Sequence, residues 1–412
     1  MKKRYVMLAL IVLIFSLSFV SASENVSVSN DTLAIDNVGL SIDDSSNITG
    51  ENNDSNVESN VTNDTEGNSS DSNATTPDKP VVVKPKPAKV TGAKDLSSTY
   101  GTVVYYKIKV LDKAGKPIEG AQVNFTIVGK GTLTRYTDAA GMASVSCNCP
   151  SGSYVVKYKV GTLSGSNTYK VKNKITLTTL NWGLKGDVSK IALIKKNMPN
   201  NDWVKKAVAA TKKGIPLLTF KGNKNGKVVF MTAGVHGNEL SSQVAAMKMI
   251  NKLTTTPVNG TIYIMPFVNV KAISKKVRYT DKDFNRIADK SNTIPNKIVN
   301  LVVKYKCDAY GDFHTTKPGG VPGKDIVMGS KSPTAASAAL TKYIAKNCKV
   351  SQKIYKYAGE SYPGALFENV NKKGITGVIC EVMLPHNTIT TKTVTTSYNM
   401  MTYFLRYSSI IK

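Results

Sequence analysis

The stretch from Lys227 to Glu239, Lys-Val-Val-Phe-Met-Thr-Ala-Gly-Val-His-Gly-Asn-Glu, decides the fold. Val228 to Met231 form a continuous apolar run, the pattern of a strand covered on both faces. The run ends in a glycine-flanked turn that carries His236 and Glu239. This pair offers an imidazole and a carboxylate to one metal ion. Zinc takes such donors, usually three from the protein, and keeps a further position for water. The spacing alone also describes an ordinary surface pair, so its meaning depends on what else the chain supplies. Leu240, Val244, Met247 and Ile250 then recur at helical spacing, which predicts a helix opening after Asn238.

Outward from this stretch, strands and helices alternate. Strands are expected at Ile215–Phe220, Lys227–Ala233, Thr261–Val268, Ala309–Phe313 and Ile375–Val382. Helices are expected at Asn296–Tyr305, Pro333–Ala345 and Thr391–Ile410, the last with Val394, Tyr398, Met401 and Leu405 on one face. Such alternation predicts an α/β domain, here over residues 176–412, with a mainly parallel mixed sheet. Ligands of such sheets bind at the carboxyl ends of the strands, where His236 and Glu239 fall.

The segment Tyr310-Gly-Asp-Phe-His314 places a second of the chain's three histidines just after another expected strand. Asp312 can orient an imidazole or serve as a plain turn residue. Between the histidines lie Asn269-Val-Lys-Ala272 and Arg278-Tyr-Thr-Asp-Lys-Asp283-Phe-Asn285-Arg286. Guanidinium groups bind carboxylates in bidentate fashion and stabilise oxyanions, although a solvated surface charge is the bland alternative for both arginines. Gly377-Val-Ile-Cys-Glu381 is an apolar strand ending in a carboxylate, suited to act as base and then acid beside zinc-bound water. His386, beyond that strand, reads as a surface residue.

This ordered set, GVHGNE, Asn269-x-x-Ala272, RYxxxDxNR, DFH and the strand-ending Glu381, resembles the zinc carboxypeptidase clan, and within it the succinylglutamate desuccinylase/aspartoacylase branch. The resemblance covers roughly Ile215 to Pro385. It implies the phosphorylase/hydrolase-like α/β fold and one Zn2+ ion held by His236, Glu239 and His314. It further implies that Arg278 polarises the scissile carbonyl, that Asn285 and Arg286 hold a substrate carboxylate, and that Glu381 is the catalytic base. Tyr362, in Gly-Glu-Ser-Tyr-Pro-Gly, is the candidate for a substrate-covering tyrosine, with a core or loop role as the alternative. The chain departs from the branch at Val270, where proline is usual, and at Phe313, where leucine is usual.

Upstream, residues 88–175 read as an all-β domain. Val103–Val110, Ala121–Val128 and Tyr154–Val160 are expected strands, separated by turns at Ala114–Pro117 and Thr137–Gly141. The phrases GKPIEGAQVNFTI, TDAAGMASVS and SGSYVV resemble the bacterial immunoglobulin-like domains of surface adhesins, which implies a β-sandwich. Residues 23–87 are expected to be a stalk. Ser23–Asp78 is rich in Asn, Ser, Asp and Thr and lacks aromatic residues, so it cannot offset its ordering entropy. Its many Asn-x-Ser/Thr sequons suit a glycosylated surface segment or an unmodified spacer. Pro80–Pro87 is a stiff extended linker. Met1–Ala22 has the basic start, apolar core and small-residue end of a secretory signal, either cleaved or retained as an anchor.

The formal net charge is +27 over 412 residues, and the acidic surplus sits in the stalk. A basic folded part in a secreted chain suggests an anionic neighbour such as a cell-wall polymer. No nucleic-acid-binding signature is present, so no nucleic-acid partner is expected. No second membrane-spanning run is present either. The five cysteines, Cys147, Cys149, Cys307, Cys348 and Cys380, form neither a disulfide framework nor a zinc spacing. The expectation is therefore a secreted or cell-surface zinc amide hydrolase that trims cell-wall peptides with a free carboxylate. The alternatives are an N-acyl amino acid deacylase and an inactive surface adhesin.

Overall fold

The computed structural model describes residues 84–412, so the signal and nearly all of the stalk lie outside the described residues. In the first unit the strands are β1 (Lys89–Thr91), β2 (Leu96–Thr99), β3 (Val104–Leu111), β4 (Gln122–Ile127), β5 (Gly131–Tyr136), β6 (Met142–Cys147), β7 (Gly152–Val160) and β8 (Leu163–Lys172). They form a three-stranded sheet in the order β1-β3-β6 and a five-stranded sheet in the order β2-β8-β7-β4-β5. Apolar residues alternate along β3, β4 and β6, so each sheet turns one face inward. Tyr106, Ile108 and Val145 of one sheet meet Phe125, Val156 and Tyr169 of the other in a shared core.

The second unit holds β9 (Lys174–Leu180), β10 (Ile215–Lys221), β11 (Lys227–Ala233), β12 (Gly260–Met265), β13 (Ala309–Thr316), β14 (Ile326–Ser330), β15 (Ser351–Tyr355) and β16 (Thr376–Met383). Its helices are α1 (Ala192–Asn197), α2 (Asp202–Ala210), α3 (Leu240–Leu253), α4 (Val270–Ser274), α5 (Ile294–Lys304), α6 (Ala335–Cys348), α7 (Leu366–Lys372) and α8 (Thr391–Tyr407). The eight strands make one mixed sheet in the order β15-β14-β16-β13-β11-β12-β10-β9. Its centre, β16-β13-β11-β12, is parallel throughout. The antiparallel pairings are β14 with β16, β12 with β10, and β10 with β9.

Helices cover both faces. Leu218, Met231, Ile264 and Phe313 face α3, α6 and α8 in one core, whereas Phe230, Tyr310 and Ile379 face α5 and α7 in the other. This double covering explains the unbroken apolar runs of β11 and β16. Several helix starts follow ordinary capping chemistry. Asn201 caps α2, Thr293 caps α5 with Pro295 in its first turn, and Thr390 caps α8 in a reciprocal pair with Thr393.

Most element boundaries shift from expectation by one to three residues, and three of the shifts bear on the domain that carries the site. β12 ends at Met265 because Pro266 has no N–H to continue the ladder. The α6 helix starts at Ala335, with Thr334 still extended. β13 runs on through Thr316, so His314 lies within the strand and not after it. All five cysteines are unpaired, and Cys380 is buried.

The two units meet closely. Only Asn173 separates β8 from β9, and its buried side chain donates to the carbonyls of Leu253 and Thr256, both at 2.8 Å, while accepting from Val258 N–H at 3.0 Å. Ser151 adds hydroxyl contacts to both the carbonyl and the N–H of Val258 at 2.9 and 3.0 Å. Among the described residues, no helix is long and apolar enough to cross a membrane.

Candidate metal centre

The site forms at the carboxyl ends of the central parallel strands. β11 delivers the turn Gly234–Glu239, β13 delivers His314, and β16 delivers Glu381 in register with His314. Two glycines make the turn possible. Gly234 has φ +71°, a conformation that L side chains rarely adopt. At Gly237 a Cβ would sit 2.3 Å from the Ala272 carbonyl carbon, so only glycine lets the turn lie against α4. Asn269, the first residue of the N-x-x-A motif, is the N-cap of α4, accepting from Ala272 N–H at 3.1 Å.

Three side chains converge within this frame. His236 Nδ1 lies 2.7 Å from Glu239 Oε1, and His314 Nδ1 lies 2.9 Å from Glu239 Oε2. The two Nδ1 atoms are 3.2 Å apart. All three residues are at most 2% exposed. A tetrahedral zinc with ligand bonds of about 2.0–2.2 Å needs donor atoms roughly 3.3 Å apart, so this slightly contracted triangle fits one ion. The outer ring nitrogens support the same conclusion. His236 Nε2 lies 2.8 Å from Asp283 Oδ1, and His314 Nε2 lies 3.0 Å from Asp312 Oδ2, the latter off the axis of a good hydrogen bond. Asp283 holds the proton of His236 on Nε2 and so turns its Nδ1 lone pair inward, and Asp312 lies at the matching position behind His314. Asp312 is itself held by Thr232 Oγ1 at 2.8 Å, and Thr232 by Tyr310 Oη at 2.6 Å.

The electrostatics favour a cation. Glu239, Asp283, Asp312 and Glu381 gather around two imidazoles and the single guanidinium of Arg278. Burial lowers the pKa of both histidines, but Glu239 and the outer carboxylates outweigh it, and both pKa values are raised. Burial likewise pushes Glu239 upward, yet the two imidazoles hold it well below the usual carboxylate range. The cluster attracts positive charge, and a divalent ion supplies that charge with better geometry than protons do.

Arg278 reaches in from the loop after α4. Its Nη1 lies 3.0 Å from Glu239 Oε1 and its Nε 3.4 Å from Asp283 Oδ2. Glu381 is 8% exposed, and its Oε2 has no hydrogen-bond partner among the described residues. Burial, reinforced by Glu239 against the pull of His314, raises its pKa to about 8. Arg278, Lys317, Val321, Glu381 and His386 line a cleft of about 310 Å3 that reaches Glu239. Larger grooves of about 580 and 660 Å3 lie elsewhere, but no metal-ligating cluster lines them.

The expected substrate residues Asn285, Arg286 and Tyr362 are not among those that line the cleft. Arg286 stacks on the Tyr362 ring at 4.7 Å. Gly364 permits this approach, because a Cβ there would lie 2.1 Å from the Arg286 carbonyl oxygen. Asn285 is buried, and its Oδ1 accepts the Leu366 N–H at the start of α7 at 2.9 Å. Its carbonyl end therefore anchors a helix, leaving only the amide N–H for a ligand. His386 is not the surface residue expected: it is half-buried in the cleft wall, because the segment after β16 folds back over the Gly234–Glu239 turn. Asp283, Thr232 and Tyr310 carried no sequence signal of their own beyond Asp283's place in the arginine motif.

Residues 225–320 match the family model for the succinylglutamate desuccinylase/aspartoacylase catalytic domain. That span holds His236, Glu239, Arg278, Asn285, Arg286 and His314 but not Glu381. Among solved structures, the chain is similar to a succinylglutamate desuccinylase/aspartoacylase from Rhodobacter sphaeroides, at 20% identity over 48% of this chain and 60% of that one, with a TM-score of 0.39. It is also similar to an aspartoacylase family protein from Mesorhizobium loti, at 17% identity over 58% and 68% of the two chains, with a TM-score of 0.41. The product-bound cell shape determinant protein Csd4 from Helicobacter pylori matches at 15% identity over 45% and 51%, with a TM-score of 0.39. The match thus spans 60% of the length of the Rhodobacter protein. No curated protein matches the chain.

Proposed function

We propose that this chain is a secreted, zinc-dependent amide hydrolase that trims peptides ending in a free carboxylate at a cell envelope. The observation that carries the reading is the inward-facing triangle of His236, Glu239 and His314, each imidazole backed by a carboxylate, with the unpartnered Glu381 beside it. Zinc held by this triangle supplies a Lewis acid and lowers the pKa of bound water to about 7. Glu381 takes the proton from the attacking water and returns it to the leaving amine. Arg278 donates to the carbonyl oxygen as negative charge develops there. Arg286, with no acidic partner among the described residues, receives the substrate carboxylate, and Tyr362 backs its guanidinium.

The envelope setting rests on the signal-like start, the sequon-rich stalk and the basic charge of the remainder. The two-sheet unit, read as immunoglobulin-like, serves as a spacer, with its lysines facing an anionic wall polymer. A second reading, deacylation of N-acyl amino acids, draws on the family description that matches residues 225–320. Metal content by mass spectrometry tests the core of the proposal. The purified chain is expected to hold about one zinc, and a His236→Ala, His314→Ala variant none. Peptides with free and amidated carboxyl ends, offered beside N-acetyl amino acids, then separate the two readings. Absence of bound zinc after zinc addition would overturn both.

A further inference from the structure

The third histidine of the chain sits where the other two are held together. His386 Nδ1 lies 3.1 Å from Asn238 Nδ2, and its Nε2 lies 3.3 Å from the Thr315 carbonyl oxygen. As the side chains are placed, the Asn238 NH2 donates and the Thr315 carbonyl accepts. A neutral imidazole protonated on Nε2 satisfies both at once. Asn238 immediately precedes Glu239, and Thr315 immediately follows His314. One ring therefore spans from the turn that supplies two ligands to the strand that supplies the third.

The neighbouring residue strengthens the bridge. Asn387 N–H donates to the Asn238 carbonyl at 2.8 Å, and Asn387 Nδ2 donates to the Lys276 carbonyl at 3.0 Å, in the loop leading to Arg278. The turn from Gly234 to Glu239 lies between β11 and α3, outside both ladders. Sheet hydrogen bonds thus do not fix its distance from His314. The His386 bridge ties the two together, beside the direct contact in which Thr315 N–H donates to Glu239 Oε2 at 2.9 Å.

We propose that His386 is a positioning residue that sets the spacing between the Glu239 turn and the His314 strand, and so the size of the ligand triangle. This inference rests on the reading of the triangle as a metal centre. Groups that orient metal ligands typically contribute about 10–100-fold in metal affinity. His386 acts one residue further out, through Asn238 and the Thr315 backbone, which places its effect near the lower end.

The test is competition for zinc between a chromophoric chelator and the full chain, with wild type, His386→Ala and His386→Gln compared. Alanine is expected to weaken zinc binding about tenfold, and glutamine, whose amide carries one acceptor and one donor, to retain part of the affinity. The melting temperature of each chelator-stripped variant should stay within a few degrees of wild type. Equal affinity in wild type and His386→Ala would overturn the inference. So would an affinity loss matched by a large fall in the metal-free melting temperature, which marks a merely structural role. Should the alanine variant not fold, His386→Phe, which keeps a ring and removes both contacts, decides: wild-type affinity overturns the bridge, and a clear loss supports it. Failure of the wild type itself to bind zinc is a separate outcome that removes the metal centre on which the bridge depends.

Discussion

Replacing Glu381 with glutamine keeps the shape of the side chain and removes its ability to take a proton. Among the described residues of the site, no other carboxylate is free to stand in. Glu239 is held by two imidazoles, Arg278 and the Thr315 N–H. Asp283 is engaged by His236 and Arg278, and Asp312 by Thr232 and His314. General base catalysis contributes about 10²–10⁴-fold, and with no substitute the loss in kcat should fall in the upper half, roughly 4–5.4 kcal/mol at ~1.36 kcal/mol per decade. Zinc content should be unchanged, because Glu381 is not among the three ligands. In the wild type, activity should decline as pH falls and Glu381 takes up a proton. The assay is steady-state kinetics of Glu381→Gln on whichever N-acetyl amino acid or carboxylate-terminated peptide the wild type cleaves, paired with metal analysis. Full metal occupancy together with activity within threefold of wild type would refute the base assignment.

Arg286→Ala should raise KM at least tenfold while changing kcat less, and amidating the substrate's carboxyl end should abolish the difference between variant and wild type. Glu368 offers a pH test away from the metal. It is fully buried on α7, accepts the Gly359 N–H at 2.7 Å, and burial raises its pKa to about 7. Because the folded chain binds this proton more tightly than the unfolded one, the stability it confers is full below about pH 4.5 and is lost as pH rises through about 7. Glu368→Gln should therefore gain on wild type in urea denaturation at pH 8 relative to pH 5, and an opposite trend would contradict the burial argument. Phe404 of α8 is fully buried and meets Phe313 edge-on at 6.2 Å. Phe404→Ala should cost about 3–5 kcal/mol, measured by chemical denaturation of the metal-free chain.

The central strands were legible because both their faces are covered, which leaves an apolar run that no surface element shows. The ligand turn was legible for a related reason: glycines must flank the histidine where the turn, at Gly237, lies against α4. The sheet edges were not. β9, Lys-Ile-Thr-Leu-Thr-Thr-Leu, alternates like its predecessors in the first unit, and only its pairing with β10 assigns it to the large sheet. β14 and β15 are five-residue strands, and Ser351–Tyr355 is partly exposed and lysine-bearing, so periodicity has little to grip. The α7 helix is seven residues long, too short for a stripe. In the site, residues that bear the chemistry stood out by type, whereas those that aim them did not. Thr232 and Tyr310 sit in ordinary strand sequence, and the Asn238 and Thr315 contacts that give His386 its place exist only after β13, β16 and the ligand turn come together.

The link through Asn173 has a mechanical consequence. A flexible tether lets a catalytic head sample many orientations, whereas a one-residue passage pinned by three hydrogen bonds of 2.8–3.0 Å acts as a bracket. Torque applied to the two-sheet unit is transmitted to the large sheet instead of being dissipated in a hinge. The cleft therefore keeps a constant bearing relative to β1–β8.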